Sequence, residues 1–333
     1  MIRFHRFSRP VLRAHLPRQM SRQQLLVIAA FFVTYFVWGS TYLANYWAIE
    51  TLPVFGMGGA RFLLAGTLLY ALSLFFGDKT APTFQQWRNS GLIGILFLAM
   101  GTGTVVWAQQ WVPTSTTSLI IAFEPLIVML LSWVVFRRRP PGGAWLGAAI
   151  SITGMYLLIG QPEVTSGEGM AKGIAGILSG MLCWAFGILL SPRLDMGENR
   201  FRSTAMQMLV GGAVLMAFSL LVNDWEGFQL SRVSARSAGA FAFLVVFGAV
   251  IAFSAFNFLL RTVSAEKAAT NTYVNPVVAV ALGALLNGED VTGRTVVAGV
   301  VLLVGVYFIN SSGKQEAEEA AESASLLDAP AEV

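Results

Sequence analysis

The chain has 333 residues, of which 55% are hydrophobic and only 12% are charged. Because a soluble domain carries about 25% charged residues, this composition excludes a soluble protein and indicates an integral membrane protein with several spans. The single cysteine, Cys183, excludes an intrachain disulfide. The sequence lacks a Cys/His cluster, a glycine-rich phosphate loop and a hydrolase motif, so we expect no metal ion, no cofactor, no nucleic-acid partner and no enzymatic activity.

The N-terminal tail, residues 1–23, is basic and holds no acidic residue; its arginines are Arg3, Arg6, Arg9, Arg13, Arg18 and Arg22. The apolar run that follows, at about 25–49, is too long for the core of a secretory signal, and no small-residue cleavage site follows it. We therefore interpret this run as an uncleaved first span. The tail is expected to be a mobile cytoplasmic segment that sets the topology, with anionic lipid head groups as a further contact.

Window hydropathy predicts ten membrane spans. They lie at about 25–46, 54–76, 90–111, 115–136, 143–160, 173–192, 203–222, 238–262, 265–287 and 294–311. The connections between the spans are short, so neighbouring spans are expected to form antiparallel hairpins. The last segment, residues 312–333, is acidic and rich in alanine and serine. That composition is typical of disorder, and the segment is predicted to be a disordered cytoplasmic tail.

The distribution of lysine and arginine predicts that both termini are cytoplasmic. With the N-terminal tail inside, the cytoplasmic side holds most of the 22 basic residues. The opposite side holds only Lys172, Arg232, Arg236 and Arg294, and Arg61 lies within a span. Cytoplasmic loops carry an excess of lysine and arginine. An error of one span would scramble this pattern, so the asymmetry also supports ten spans.

The two halves of the chain are weakly similar. Glu124-Pro125 in the fourth span returns as Asn275-Pro276 in the ninth, 151 residues later, and the motif G-x-Y at 154–156 returns with the same offset at 305–307. Because each unit holds an odd number of spans, five, the second unit must enter the membrane from the opposite face. Residues 24–160 and 173–311 are therefore predicted to be inverted five-helix repeats, an architecture that gives transporters two related conformations.

Glu124 is the only acidic residue that falls within a predicted span. About 20 residues of helix cross the hydrocarbon, so Glu124 is expected near the midplane, where an ionisable side chain is costly and usually functional. Pro125 has no N–H, so the carbonyl of Ile121 loses its helical partner and the helix is expected to break. We expect Glu124 to bind a substrate ammonium group or to exchange a proton. The alternative is a neutral or Arg61-paired glutamate that only fixes the kink.

The ninth span is expected to break in the same way at Asn275-Pro276, with Asn271 one turn earlier and Tyr273 between them. The functional hypothesis is that these side chains hold the carboxylate or amide of an amino acid. The alternative is hydrogen bonding between helices. For Arg61 the two interpretations are an anion site, or partner for Glu124, and a snorkelling or helix-capping side chain; the second is favoured.

Four motifs have the order and spacing of a known family: W-G-S-T at 38–41, R-F-L-L-A-G at 61–66, E-P-L at 124–126 and Y-V-N-P-V-V-A-V at 273–280. Together they resemble the drug/metabolite transporter superfamily, and most closely its ten-helix EamA branch of inner-membrane exporters. The resemblance covers about residues 25–311. It implies a central cavity lined mainly by spans 1, 3, 4, 6, 8 and 9, with spans 5 and 10 peripheral, and transport of amino acids, including aromatic ones, or other small metabolites.

One feature departs from this family. Family halves commonly close their fourth span with residues similar to G-E-R-L. The second half keeps Gly288-Glu289-Asp290, whereas the first half has the run R-R-R-P-P at 137–141. The departure concerns the cytoplasmic rim of the first repeat and leaves its core unchanged.

The candidate substrate-binding residues are polar or aromatic and lie within the spans: Trp38, Ser40, Thr41, Trp107, Thr117, Glu124, Trp184, Asn257, Asn271, Tyr273 and Asn275. Trp38 and Trp184 are repeat mates at an offset of 146 residues and are expected to form aromatic walls of the cavity, with helix packing as the alternative. The candidate helix-break or gating residues are Gly101, Gly103, Pro125 and Pro276. Close helix packing is the alternative for the glycines.

These observations predict an all-α integral membrane transporter that works by alternating access and exports amino acids or related small metabolites. Its expected partners are the small-molecule substrate, the lipid bilayer and, if Glu124 exchanges a proton, a proton gradient. An uncoupled facilitator is the alternative within the class. A non-transporting membrane sensor or scaffold is the alternative outside it.

Overall fold

The computed structural model describes residues 21–76, 80–137, 139–160, 167–263 and 271–327. At 257, 260, 261, 271, 272 and 313–327 it describes the backbone and not the side chain. These described ranges form ten membrane helices and no strand. Their bounds are α1 Arg22–Ile49, α2 Val54–Ser73, α3 Phe84–Ala108, α4 Thr114–Phe136, α5 Gly142–Ile159, α6 Met170–Leu190, α7 Arg200–Leu221, α8 235–262, α9 Asn271–Asn287 and α10 Gly293–Leu327.

The prediction of ten all-α spans is confirmed. Among the described residues, nine helices are long and apolar enough to cross a membrane, and α9 supplies a tenth, shorter apolar helix at Tyr273–Asn287. The observed helices start earlier than hydropathy predicted where their first turn is polar. Thus α3 begins at Phe84 and not at about residue 90, because apolar character alone cannot locate a polar first turn.

Side-chain caps account for these polar starts. Ser21 and Gln24 form a reciprocal capping box at the start of α1, and Thr83 and Gln86 form another at the start of α3. In each box the hydroxyl accepts a hydrogen bond from the backbone N–H three residues later, and the glutamine side chain accepts one from the backbone N–H of the cap residue. At each of these helix starts, two backbone N–H groups that have no partner within the helix therefore receive a hydrogen-bond acceptor.

The helices pair as a twofold relation between the repeats requires. Helix α5 packs on α10 and α2 packs on α7, each against its own repeat mate. The contact of α1 with α8 is matched by that of α6 with α3, and the contact of α1 with α9 is matched by that of α6 with α4. Helices α4 and α9, which are also mates, contact each other. The two-repeat architecture is therefore visible in the packing itself.

Three of the described helices contain π-helical segments, in which hydrogen bonds span five residues. The segments in α3 and α8, Ile95–Thr102 and Leu244–Ile251, are repeat mates at a constant offset of 149 residues. The third, Val33–Val37, lies in α1. Such segments are frequent at functional sites, and all three lie in helices that the family resemblance places around the central cavity.

Two sequence predictions differ from the structure. Helix α10 continues to Leu327, so most of the acidic tail has helical backbone, because alanine, glutamate and lysine are strong helix formers even without a core to cover. Helix α9 continues through Pro276 without interruption. Proline removes one hydrogen bond, but α9 is held on both sides of Pro276 by its packing against α1 and α4.

Glycines bring α5 and α10 into backbone contact. A Cβ on Gly154 would lie 2.5 Å from the backbone nitrogen of Leu302, and a Cβ on Gly305 would lie 2.4 Å from that of Ser151. The offset of 151 residues relates Gly154 to Gly305 and Ser151 to Leu302, so the two contacts are repeat mates. Small residues allow membrane helices to approach this closely.

We expect Gly154→Ala to force α5 away from α10 and to lower the apparent melting temperature in detergent, since overpacking costs about 1–3 kcal/mol. Gly142→Ala is the matched control, because a Cβ at Gly142, in the first turn of the same helix, meets nothing within 4 Å. Thermal unfolding of the two purified variants gives the comparison. Equal melting temperatures would contradict the close contact.

Candidate functional site

Helix α4 is interrupted where the sequence predicts a break. Its first half, Thr114–Ile121, ends in a turn at Ala122 and Phe123. Its second half begins at Glu124, with Pro125 in the first turn. Since proline has no N–H to donate, the last carbonyl of the first half lacks its helical partner. A polar backbone group and a carboxyl group therefore coincide in the middle of the span.

The Glu124 carboxyl is only partly accessible and is not paired. Its Oε1 atom is enclosed and has no hydrogen-bond partner among the described residues. Among the described residues a salt bridge joins Arg236 to Glu50, and none joins Arg61 to Glu124. The alternative of an Arg61-paired glutamate is therefore not observed. Tyr42 of α1 lies close enough to Glu124 for an electrostatic interaction. Glu124 thus remains available to a ligand or a proton.

An acidic side chain of the second repeat holds the start of α4. Glu289, in the loop between α9 and α10, accepts hydrogen bonds from the backbone N–H groups of Thr114 at 2.9 Å and Ser115 at 2.8 Å. A carboxylate at this position satisfies orphan donors and is attracted by the helix dipole. Thr117, a predicted site residue, is fully buried behind this cap.

Helix α2 is capped in the same way. Asp224, in the loop between α7 and α8, accepts hydrogen bonds from the backbone N–H groups of Val54, Phe55 and Gly56 at 3.2, 2.8 and 2.9 Å. Because each helix crosses the bilayer once, α2 and α4 start at the same face of the molecule. We call this face, which is defined by Asp224 and Glu289, the cap face.

Arg61 lies inside the helix bundle, with only 6% of its surface exposed. Its Nη1 atom donates to Oδ1 of Asn45 on α1 at 3.1 Å, whereas its Nε atom has no partner in the described part of the chain. Gly248 of α8 leaves room for the guanidinium group, since a Cβ there would lie 3.1 Å from Nη2. An enclosed guanidinium group bonded to a side chain of α1 does not fit the favoured interpretation of a snorkelling or helix-capping arginine.

The predicted hydroxyl groups of α1 are used within the helix. Ser40 and Thr41 each donate to backbone carbonyls of the preceding turn. A polar side chain approaches this stretch from outside: Gln109, which follows α3 directly, donates from its Nε2 atom to the carbonyl of Tyr42 at 2.8 Å. Its Oε1 atom is buried and has no partner among the described side chains, so Gln109 joins the candidate residues.

Asn275 connects α9 to the π-helical segment of α1. In the amide orientation that suits its surroundings, its nitrogen donates to the carbonyls of Tyr35 at 2.9 Å and Thr34 at 3.1 Å. A π-helical turn displaces backbone carbonyls from their regular partners, and the buried amide compensates for that. The interhelical interpretation therefore fits Asn275 better than a direct contact with substrate.

Tyr273 is directed toward the peripheral helix α10 and not toward the repeat interface. Its hydroxyl donates to the carbonyl of Val306 and accepts a hydrogen bond from Asn310 at 2.6 Å. Residues that are two positions apart on a helix do not share a face. Tyr273 therefore bonds to α10, whereas Asn275 bonds to α1. The expectation that both line one site is not met in this conformation.

Trp38 and Trp184 each contact a phenylalanine of a neighbouring helix. The ring centroid of Trp38 lies 4.8 Å from that of Phe256 on α8, and the centroid of Trp184 lies 4.5 Å from that of Phe97 on α3. The helix pairs, α1 with α8 and α6 with α3, are related by the repeat, but at the offset of 149 residues Phe97 and Phe256 are not repeat mates. Both tryptophans keep part of their surface accessible. The geometry is consistent with aromatic walls that are each supported by a phenylalanine from the neighbouring helix.

The remaining predicted residues are spread over α3, α8 and α9. The Trp107 ring lies 5.0 Å from the Lys172 ammonium group, near the end of α3. Gly101 lies in the π-helical segment of α3, and Gly103 follows that segment directly. The side chains of Asn257 and Asn271 lie outside the described residues.

Sequence reasoning missed the roles of Glu289, Asp224 and Gln109. In the sequence all three residues follow the end of a helix, α9, α7 and α3 respectively, so no local pattern marks the two acids as helix caps. What the sequence does not contain is the pairing of each acid with a helix from the other repeat, at sequence separations of 168 to 175 residues. Only the folded arrangement of the repeats supplies that pairing.

A model of the EamA-like transporter family matches this chain twice, at residues 25–160 and 171–311. The chain belongs to the EamA-like transporter family. The two matched segments coincide with the two repeats seen in the packing. With its ten spans, the protein is a multi-pass transporter of the inner membrane.

Relatives of this EamA-like transporter occur in Escherichia coli and in Synechocystis sp.. The uncharacterized inner membrane transporter YedA of Escherichia coli strain K12 is 35% identical over 295 residues, which are 86% of this chain and 93% of the relative. An uncharacterized transporter of Synechocystis sp. is 27% identical over 307 residues, 87% and 90% of the two chains. A solved crystal structure at 17% identity shares the fold, with a TM-score of 0.59 over 85% of this chain and 95% of that chain.

We expect Glu289→Gln to weaken the start of α4, because an amide offers one acceptor atom in place of two and carries no charge to interact with the helix dipole. The loss of a helix cap costs about 1 kcal/mol, so the apparent melting temperature in detergent should fall. Asp290→Asn, at the neighbouring exposed position, is the control and should unfold as the wild type does. A Glu289→Gln protein that is as stable as this control would argue against the cap.

Proposed function

We propose that this transporter exports amino acids, aromatic ones among them, or related small metabolites by alternating access between its two repeats. The observation that carries the proposal is the unpartnered carboxyl of Glu124 at the break of α4. An anionic group at that depth is a counter-charge for the ammonium group of a substrate. The substrate class and the direction of transport rest on the family resemblance.

Alternating access requires contacts between the repeats that form at one face and break at the other. At the cap face, side chains beyond the two carboxylate caps also connect the repeats. Trp47 Nε1 of α1 donates to Oδ1 of Asn287 on α9 at 3.2 Å, and Arg236 of α8 pairs with Glu50 at 2.7 Å. We infer that the described arrangement is closed at the cap face. The excess of lysine and arginine on the other side supports assigning the cap face to the outside.

Glu124 connects this closure to substrate binding. It lies at the break of α4, and the first half of α4 is held by the Glu289 cap. When the cap-face contacts break, that half-helix is released and the surroundings of the carboxyl change. A proton and a substrate ammonium group compete for one carboxylate, and this competition would couple export to a proton gradient.

Glu124→Gln keeps the shape of the side chain but removes its charge and its exchangeable proton. We expect it to lower amino-acid transport in proteoliposomes by at least about tenfold, as the loss of a charge-assisted hydrogen bond does, and to abolish any dependence on a pH gradient. Glu124→Asp, which retains a carboxyl group, should transport more slowly but keep the wild-type pH dependence.

The same assay distinguishes an exchanger from a facilitator. A wild type that ignores the pH gradient, together with an inactive Glu124→Gln, would identify an uncoupled facilitator in which Glu124 only contacts the substrate. Unchanged transport and unchanged pH dependence in a correctly inserted Glu124→Gln would refute the proposed role.

Alternating access also predicts that the midplane site is reached from both faces. In a Cys183→Ser background, Tyr42→Cys should react with a membrane-impermeant thiol reagent applied to either side of sealed vesicles. Glu226→Cys, in an exposed loop at the cap face, is the control and should react from one side only. One-sided reaction of Tyr42→Cys would favour the sensor or scaffold.

A further inference from the structure

Arg61 and Glu124 are ionisable side chains of opposite charge that the bundle encloses without pairing them. The described residues offer the Arg61 guanidinium group no carboxylate and the Glu124 Oε1 atom no donor. An uncompensated charge is costly away from water. Within membrane spans such residues are rare and mark substrate pathways. The two unpaired charges therefore point to a ligand that carries the complementary ones.

The two charges lie at similar depths beside one stretch of α1. Counted from the cap face at 1.5 Å per residue, Arg61 is about 10 Å along α2 and Glu124 is about 15 Å along α4. Arg61 is bonded to Asn45, and Glu124 follows the half of α4 that packs on α1 and lies within electrostatic range of Tyr42. Tyr42 and Asn45 are three residues apart on α1 and so are surface neighbours, which places both charged groups along one stretch of that helix.

One edge of the Arg61 guanidinium group forms no hydrogen bond with the described residues. Asn45 occupies Nη1, while Nε has no partner and Nη2 forms no hydrogen bond with the described residues. The two N–H groups on one edge of a guanidinium bind a carboxylate through parallel hydrogen bonds. In the arrangement closed at the cap face, Gly248 of α8 lies against Nη2. A ligand reaches this edge when α8 moves away from α1 and α2.

We propose that Arg61 binds the carboxylate of the substrate while Glu124 binds its ammonium group, so that the site selects zwitterionic α-amino acids over amines and over simple carboxylic acids. This inference rests on the proposed amino-acid transport and names the two groups that the substrate must carry. Asn45 accepts a hydrogen bond from Nη1 of Arg61, away from the Nε–Nη2 edge that the substrate uses, and does not contact the substrate.

The test compares three probes of one shape in proteoliposomes: L-phenylalanine, phenethylamine, which lacks the carboxylate, and hydrocinnamate, which lacks the ammonium group. The wild type should move phenylalanine at least about tenfold faster than either analogue, because each lacks one charge-assisted contact. Arg61→Met should lose this preference over phenethylamine. Arg61→Lys, which keeps the charge but not the planar fork, should keep part of it.

Asn45→Ala separates substrate binding from a structural role of Arg61. It removes the only side-chain hydrogen-bond partner that Arg61 has among the described residues but leaves the Nε–Nη2 edge in place, so it should slow phenylalanine and phenethylamine alike and leave their ratio unchanged. A ratio that collapses equally in Asn45→Ala and Arg61→Met would overturn the assignment and identify Arg61 as a packing residue. A ratio that survives in Arg61→Met would overturn it as well.

The wild type alone decides the question if Arg61→Met fails to insert. Transport of phenylalanine and phenethylamine at equal rates would overturn the Arg61 assignment and leave amino-acid transport intact. Transport of hydrocinnamate without phenylalanine would refute the amino-acid class while supporting a carboxylate contact at Arg61. Transport of none of the three probes would overturn both.

Discussion

Hydrocarbon offers no hydrogen bonds, so each polar group inside this bundle must find its partner within the chain. The caps at the starts of α2 and α4 and the amide of Asn275 against the π-helical turn of α1 are solutions to that single constraint. Each of them joins the first repeat to the second. The contacts that satisfy these polar backbone groups therefore also hold the two repeats together.

The same constraint makes the exceptions informative. Glu124 and Arg61 carry charges that cost more than a neutral amide to enclose, yet the described residues do not neutralise either one. Asp224 and Glu289 accept hydrogen bonds from uncharged backbone N–H groups, whereas no carboxylate of the described residues pairs with Arg61. The lack of a carboxylate beside Arg61 agrees with the proposed ligand site, because a permanent internal salt bridge would compete with the ligand.

The repeats are symmetric in packing and asymmetric in chemistry. The α5–α10 contact is reproduced by the twofold relation, and so is the pairing of α1 with α8 and of α6 with α3. Glu124 and Asn275 occupy equivalent positions but differ in use, since Asn275 is bonded to α1 and Glu124 is not bonded within the described chain. Equivalent backbones allow two related conformations, while the proposed substrate contact at Glu124 has an uncharged counterpart, Asn275, in the second repeat.

The amino-acid sequence by itself determined the ten spans, the repeat and the break before Glu124-Pro125. Each of these follows from local quantities: the length of an apolar run, a recurring offset and the missing N–H of proline. Only the tertiary structure decided that α9 passes through Pro276 and that Asn275 and Tyr273 form hydrogen bonds with different neighbouring helices. It also decided that Arg61 is bonded to Asn45 and to no carboxylate among the described residues. Those outcomes depend on which side chains meet from segments far apart in the chain, and a buried polar group takes its role from the partner that it meets.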